Sequence, residues 1–212
     1  AASDVYKRQD PRAVDKSVPE YKNPFHPSTY AHFVARKDYR KTYDVYKDDT
    51  LLNRKPKKSR KIFVCLDEQR GQYLVDGLIA MDFPLSSGVK AYPTKTGDYT
   101  VISKKEDHAS NLYGKMYDAE GKCINYNAES TDPVPEGGRF DGSPMPYWQR
   151  LTNAGLGLHV GKVRRHPISH GCVRLPRNVA EILYKQTSVG TPVTIQRTPL
   201  PVPEAQKAPA VQ

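Results

Sequence analysis

Between positions 159 and 174 the chain carries His159, His166, Ser169, His170, Cys172 and Arg174. A thiol is a weak nucleophile until a base or a positive field removes its proton, and histidine is the usual base because its pKa lies near neutrality. His159 near a strand end and Cys172 ahead of a helix can meet if the loop between them folds back. Gly171 lets the backbone turn tightly beside the thiol. Amide N–H groups at such a turn can face a developing oxyanion, and Arg174 offers a fixed charge suited to a carboxylate. The chemistry these types allow is acyl transfer through a cysteine.

Two other readings use the same residues. Cys172 could be a buried structural thiol among loop histidines. Alternatively, His159, His166, His170 and Cys172 could hold zinc, but their H-x6-H-x3-H-x-C order matches no common zinc spacing. No metal and no cofactor are expected.

The elements that must position these residues are short. Gly155–Val160 reads as the strand that ends beyond His159. Pro176 suits a first helical turn, and Val179, Ile182 and Leu183 share one face of 176–186. Upstream, Lys61–Leu66 and Gln72–Asp76 form an expected hairpin, followed by Leu78–Pro84. Asp98–Ser103 alternates polar and apolar residues as a single strand. Lys115–Asp118 and Cys123–Asn127 flank a turn at Gly121. Residues 131–146, rich in Pro and Gly, are expected to be a long loop. Tyr147–Leu151 and Thr191–Gln196 are further strands. This pattern predicts a mainly β chain, a sandwich or barrel-like set of mixed sheets with one or two short helices, and no βαβ nucleotide fold.

The 212 residues include 18 Pro and 14 Gly, and 37% are hydrophobic, enough for one core. Collagen, coiled coil and complete disorder are excluded. No run of apolar residues is long enough to span a membrane as a helix. No charged-then-apolar export segment is visible at the start, and residues 1–9 are set aside as a scar. The net charge of +10 is concentrated at 36–61, which ends in a run of Lys and Arg. That segment is either a solvated linker or an arm for an anionic wall or membrane polymer. Tyrosines are interleaved with the charge, but no nucleic-acid signature accompanies them, so no nucleic acid is expected. Residues 1–60 are therefore read as a basic, Tyr/Pro-rich extension that is partly disordered, 61–198 as the folded domain, and 199–212 as a disordered tail. Cys65 and Cys123 read as buried or half-buried thiols, with a bridge between them left open. A monomer is expected.

Ser169-His170-Gly171-Cys172-Val173-Arg174, preceded by Leu158-His159-Val160-Gly161, resembles the signature of the L,D-transpeptidase catalytic domain, or YkuD-type family. The likeness extends over about residues 61–197, through Ser87-Gly88, Tyr92–Tyr99, Asp107–Gly114 and Met145–Trp148. It implies a β-rich fold, a cysteine nucleophile and peptidoglycan stem peptides as substrate, in the periplasm or cell envelope. Position by position, Cys172 matches the nucleophile and His159 the base. His170 and Gly171 match the turn and oxyanion positions. Arg174 would contact substrate or hold the loop, and Ser169 matches the small hydroxyl at the motif start; Trp148 and Tyr147 are candidates to line the stem cleft, with core or rim an equal reading. Val160 stands where many members have Gly or Ser, so a backbone carbonyl must orient His159. Transpeptidation and hydrolysis by the same site are both compatible with these residues.

Overall fold

The computed structural model describes residues 22–55, 59–199 and 201–207. The proposed scar at 1–9, the Lys57-Lys58 part of the basic run and the tail beyond 207 lie outside the described residues. Among the described residues there are thirteen strands, β1 to β13, and three α-helices. One sheet has six strands in the order β1 (Tyr46–Lys47), β4 (Leu78–Pro84), β3 (Arg70–Val75), β2 (Arg60–Cys65), β13 (Pro192–Gln196) and β5 (Gly97–Thr100). A second has the order β12 (Val173–Leu175), β11 (Gly157–Val160), β10 (Trp148–Arg150) and β6 (Ser103–Lys105). A third sheet is β8 (Cys123–Glu129), β7 (Ala109–Tyr117) and β9 (Arg139–Pro144). The expected class, mainly β with mixed sheets and few short helices, is what is found: β2–β13 and β11–β12 pair parallel and the other strand pairs antiparallel.

The apolar runs seen in the sequence build the core. Ile62 and Val64 on β2, Tyr73 and Val75 on β3, and Val193 and Ile195 on β13 are buried with Leu158, Val173 and Leu175 from the second sheet. Helix α3 (Arg177–Gln186) lays Val179, Ala180 and Leu183 on this core, with Ile182 beside them. Pro176 sits just before the helix at the N-cap. Its other end is finished by a side chain from the sheet: Lys104 Nζ donates to the carbonyls of Tyr184 and Thr187, the latter at 2.7 Å. A cation there complements the helix dipole and satisfies terminal carbonyls.

Two expectations are corrected. Asp98–Ser103 is not one strand. The chain leaves the first sheet after β5 and joins the second at β6, with the Val101 amide bonded to Thr191 O and the Ile102 amide to Arg150 O. One continuous segment thus stitches the sheets together. Residues 131–146 are not all loop, because β9 pairs with β7. The glycines there mark close backbone approach rather than a break. A Cβ at Gly142 would lie 1.9 Å from Ser110 O, and one at Gly114 2.1 Å from Asp141 O.

Within the segment read as an extension, Tyr30, Phe33, Tyr39 and Tyr46 form a second apolar cluster over Ile79, while Leu51 and Leu52 join the main core. Helix α1 is Tyr30–Val34, and α2 is Asp49–Asn53. Tyr30 and Phe33 pack with Ile79, and β1 extends the sheet beside β4. Underneath, Asp82 is fully buried and accepts from Arg70 Nε, Gln72 Nε2, Tyr30 Oη and Tyr39 Oη. Two of the tyrosines interleaved with charge, Tyr30 and Tyr39, therefore serve a buried carboxylate. Arg36, Lys47 and Arg54 are paired with neighbouring acids. Past the final strand, Gln206 bonds both the amide and the carbonyl of Ile79.

Candidate active site

Sheet register decides which side chains face the site. Lys105 pairs with Trp148, and His159 pairs with Arg174. Gln149 pairs with Leu158, so Trp148 falls next to His159. Alternation along each strand then puts Lys105, Trp148, His159 and Arg174 in one row on one face, while Lys104, Gln149, Leu158 and Val173 turn the other way. The row borders a cavity of about 1000 Å³ that also exposes Ser169, His170, Gly171 and Cys172.

His159 is buried, and its Nδ1 lies 2.7 Å from the carbonyl oxygen of Val160. A carbonyl can only accept, so Nδ1 carries the hydrogen and Nε2 is left as the free acceptor. Burial holds the imidazole down to about 4; the Val160 bond opposes this, and the Arg174 and His108 charges add to it. His159 is therefore neutral at pH 7. Burial also pushes the Cys172 thiol up, against the pull of a Gly157 backbone bond and the Arg174 charge. The resting pair is a neutral thiol and a neutral imidazole, not an ion pair. The Cys172 thiol rests 3.3 Å from Gly155 O. Space beside it depends on Gly157, where a Cβ would lie 2.5 Å from the Trp148 ring.

The turn that carries Cys172 is held from three directions. Gly171 has φ +112°, a value that favours glycine. Its carbonyl accepts from Thr94 Oγ1 at 2.6 Å, and Thr94 Oγ1 in turn accepts from the Gly88 amide. Ser169 Oγ donates to Cys172 O and accepts from the Gly171 amide, stapling the turn internally. The amides of Ile168 and Ser169 donate to Ser87 O, whose own residue is bonded to the Gln69 side chain. Arg165, earlier in the same loop, reaches the carbonyls of Thr42 and Glu68. The N-terminal packing segment thus touches the loop that presents the thiol.

The remaining expected site residues divide. Trp148 lies between His108 and His159, with ring centroids 5.1 and 5.8 Å away. His170 stacks on Tyr113 at 4.5 Å and meets Tyr92 edge-on at 4.8 Å, which ties the third sheet to the catalytic turn. The Gly171 amide is already engaged by Ser169, whereas the Cys172 amide has no acceptor among the described residues. Tyr147 is not brought to the cavity. It precedes Trp148, faces the other side and packs 5.6 Å from Tyr184 on α3. His166 is exposed and bonded to Arg164 O. Among the described residues no three His, Cys, Asp or Glu side chains converge as metal ligands, so His159, His166, His170 and Cys172 do not form a zinc set. All three cysteines are free thiols. No helix among the described residues is long and apolar enough to cross a membrane.

Sequence reasoning did not single out Gln69, Arg165 or Lys105. Each works through contacts far along the chain, and no local spacing signals them.

Residues 59–195 match the family described as L,D-transpeptidase catalytic domain (YkuD), which is more than half of the chain. Over 120 residues the chain is 32% identical to Probable L,D-transpeptidase 3 of Mycobacterium tuberculosis, covering 53% of this chain and 38% of that protein. The chain therefore matches well under half the length of that curated relative. Among solved structures, an L,D-transpeptidase from Mycobacterium smegmatis aligns with a TM-score of 0.50 at 22% identity, over 65% of this chain and 58% of that one. An LD transpeptidase in complex with imipenem aligns with a TM-score of 0.50 at 20% identity, over 65% and 59%. These two likenesses concern the fold.

Proposed function

The chain belongs to the L,D-transpeptidase catalytic domain family, and from that premise we propose that it is a cysteine acyltransferase of the bacterial cell envelope that forms 3-3 cross-links between peptidoglycan stems. The observation that carries this reading is that a thiol on a glycine turn and a buried imidazole whose Nδ1 is held by Val160 both line one cavity.

The donor is a tetrapeptide stem ending in D-Ala. His159 Nε2 takes the Cys172 proton as sulfur attacks the carbonyl between the L-centre of the diamino acid and D-Ala. Burial disfavours both ions before substrate arrives, so proton transfer accompanies attack. The negative oxygen forms beside the Cys172 amide, and a lost donor of this kind costs roughly 3–4 kcal/mol. The imidazolium returns its proton to the leaving amine, D-Ala departs and a thioester remains. The side-chain amine of a second stem then attacks the thioester, giving up a proton to His159, and the cross-link forms with the thiol restored.

Mass spectrometry of tetrapeptide muropeptides incubated with the wild type and with Cys172→Ala tests the proposal. Cross-linked dimers from the wild type alone support it. Tripeptide without dimers makes the protein an L,D-carboxypeptidase that uses the same thiol. An untouched substrate with folded wild type rejects the acyl-transfer reading in favour of a wall-binding role.

A further inference from the structure

The cavity is lined by Lys95, Lys104, Lys105, Arg150, Lys162 and Arg174, and among the described residues no Asp or Glu lines it. Two of the six cations are engaged by the protein itself: Lys104 by the carbonyls at the end of α3, and Arg150 by those of Thr152 and Asn153. For the other four no side-chain hydrogen bond or ion pair is found among the described residues. An enclosed field of one sign concentrates ligands of the other.

Two of the free cations stand in the row across the second sheet, at its two ends. Arg174 is on β12 next to His159, and Lys105 is on β6 next to Trp148. Three strand spacings of about 4.8 Å separate them, about 14 Å in all. An extended peptide advances about 3.4 Å per residue, so that span matches about four residues. His108, its ring tilted against Trp148, lines the same cavity as Lys105.

We infer that the donor is an acidic stem, bound with its terminal carboxylate at Arg174 and a second, free carboxylate upstream of the scissile bond at Lys105. Cys172 lies at the β12 end of the row, two residues before Arg174. A carbonyl attacked there has the leaving residue's carboxylate toward Arg174 and the rest of the stem directed across Trp148. The acid that meets Lys105 must be ionised to gain from it, so a stem whose upstream carboxyl is capped as an amide forfeits the contact. Lys105 is a specificity-determining residue that leaves the reacting atoms alone. The inference rests on the acyl-transfer reading above and deepens it.

The test uses the full chain and two synthetic tetrapeptide donors that differ only in whether the upstream carboxyl is free or amidated. Acylation of Cys172 is followed by mass spectrometry, and kcat/KM is measured for each donor. The wild type is expected to favour the free acid by about fivefold, as one partly exposed ion pair allows, and less at high salt. Lys105→Gln should lose the preference by slowing only the free-acid donor, through KM, while Lys105→Arg retains it. Equal rates for both donors in the wild type, or a preference that survives in Lys105→Gln, overturn the inference alone. If neither donor acylates Cys172, the acyl-transfer reading fails and this one falls with it.

Discussion

His159 holds its Nδ1 2.7 Å from the carbonyl oxygen of Val160, the residue that follows it in the chain. The strand itself thus orients the imidazole, with no carboxylate needed. An acid partner would stabilise the imidazolium; a neutral carbonyl does so less, and burial keeps the ring uncharged. The acid limb of kcat/KM should therefore lie near pH 4, with a plateau through neutrality. A limb near the ordinary histidine value would show that His159 is solvated in the working enzyme. His159→Ala should lose most of the rate and the limb together.

The same shift has a stability consequence. The folded pKa lies below the unfolded one, so stability is full above the unfolded value and is lost as pH falls through the folded value. Between neutrality and pH about 4.5, His159 should cost the fold about 2 to 3 kcal/mol. Urea unfolding of wild type and His159→Gln at both pH values should show that the variant lacks this loss.

Asp82 gathers four donors with no exposure of its own, and Arg70 beside it is equally buried. Asp82→Ala leaves the guanidinium unpaired and removes the acceptor of Tyr30 and Tyr39. Unfolding free energy should fall by about 3 to 5 kcal/mol. Limited proteolysis should then cut within 22–47 sooner than in the wild type. Unchanged protection would mean that aromatic packing alone holds that segment.

Thr94 joins the Gly88 amide to the Gly171 carbonyl. Thr94→Val keeps the shape but orphans both groups, at about 1 to 3 kcal/mol. The turn should loosen and kcat should fall about tenfold or more, since small displacements of a reacting atom are costly. A crystal structure and single-turnover acylation rates would read both effects.

Two glycines near the thiol should respond differently. At Gly171 the nearest atom to a new Cβ is 3.9 Å away, so Gly171→Ala meets only backbone strain, about 1 to 3 kcal/mol. At Gly88 a Cβ would lie 2.1 Å from Tyr92 O and 2.9 Å from the Gly171 Cα. Gly88→Ala should therefore displace the turn and slow acylation more than Gly171→Ala does. Equal rates would argue that the loop adjusts freely.

Much of this protein is written locally. Helix α3 follows from the spacing of Val179, Ile182 and Leu183 after Pro176, and the β2–β3 hairpin from an apolar run, a turn and a second run. The close spacing of His159, Gly171, Cys172 and Arg174, and the type of chemistry they permit, are also properties of the sequence. Period and turn propensity act over a few residues, so a linear reading detects them. What it could not detect acts across the chain. Gly114 and Gly142 look like breaks until β7 and β9 approach each other. Tyr30 and Tyr39 look like surface aromatics until Asp82 appears beneath them. The neutral state of His159 comes from burial under the sheets, and the row from Lys105 to Arg174 from register between strands far apart in sequence. Desolvation and cross-strand alignment exist only once distant segments meet, so the charge state and the facing of the site were decided by the tertiary structure.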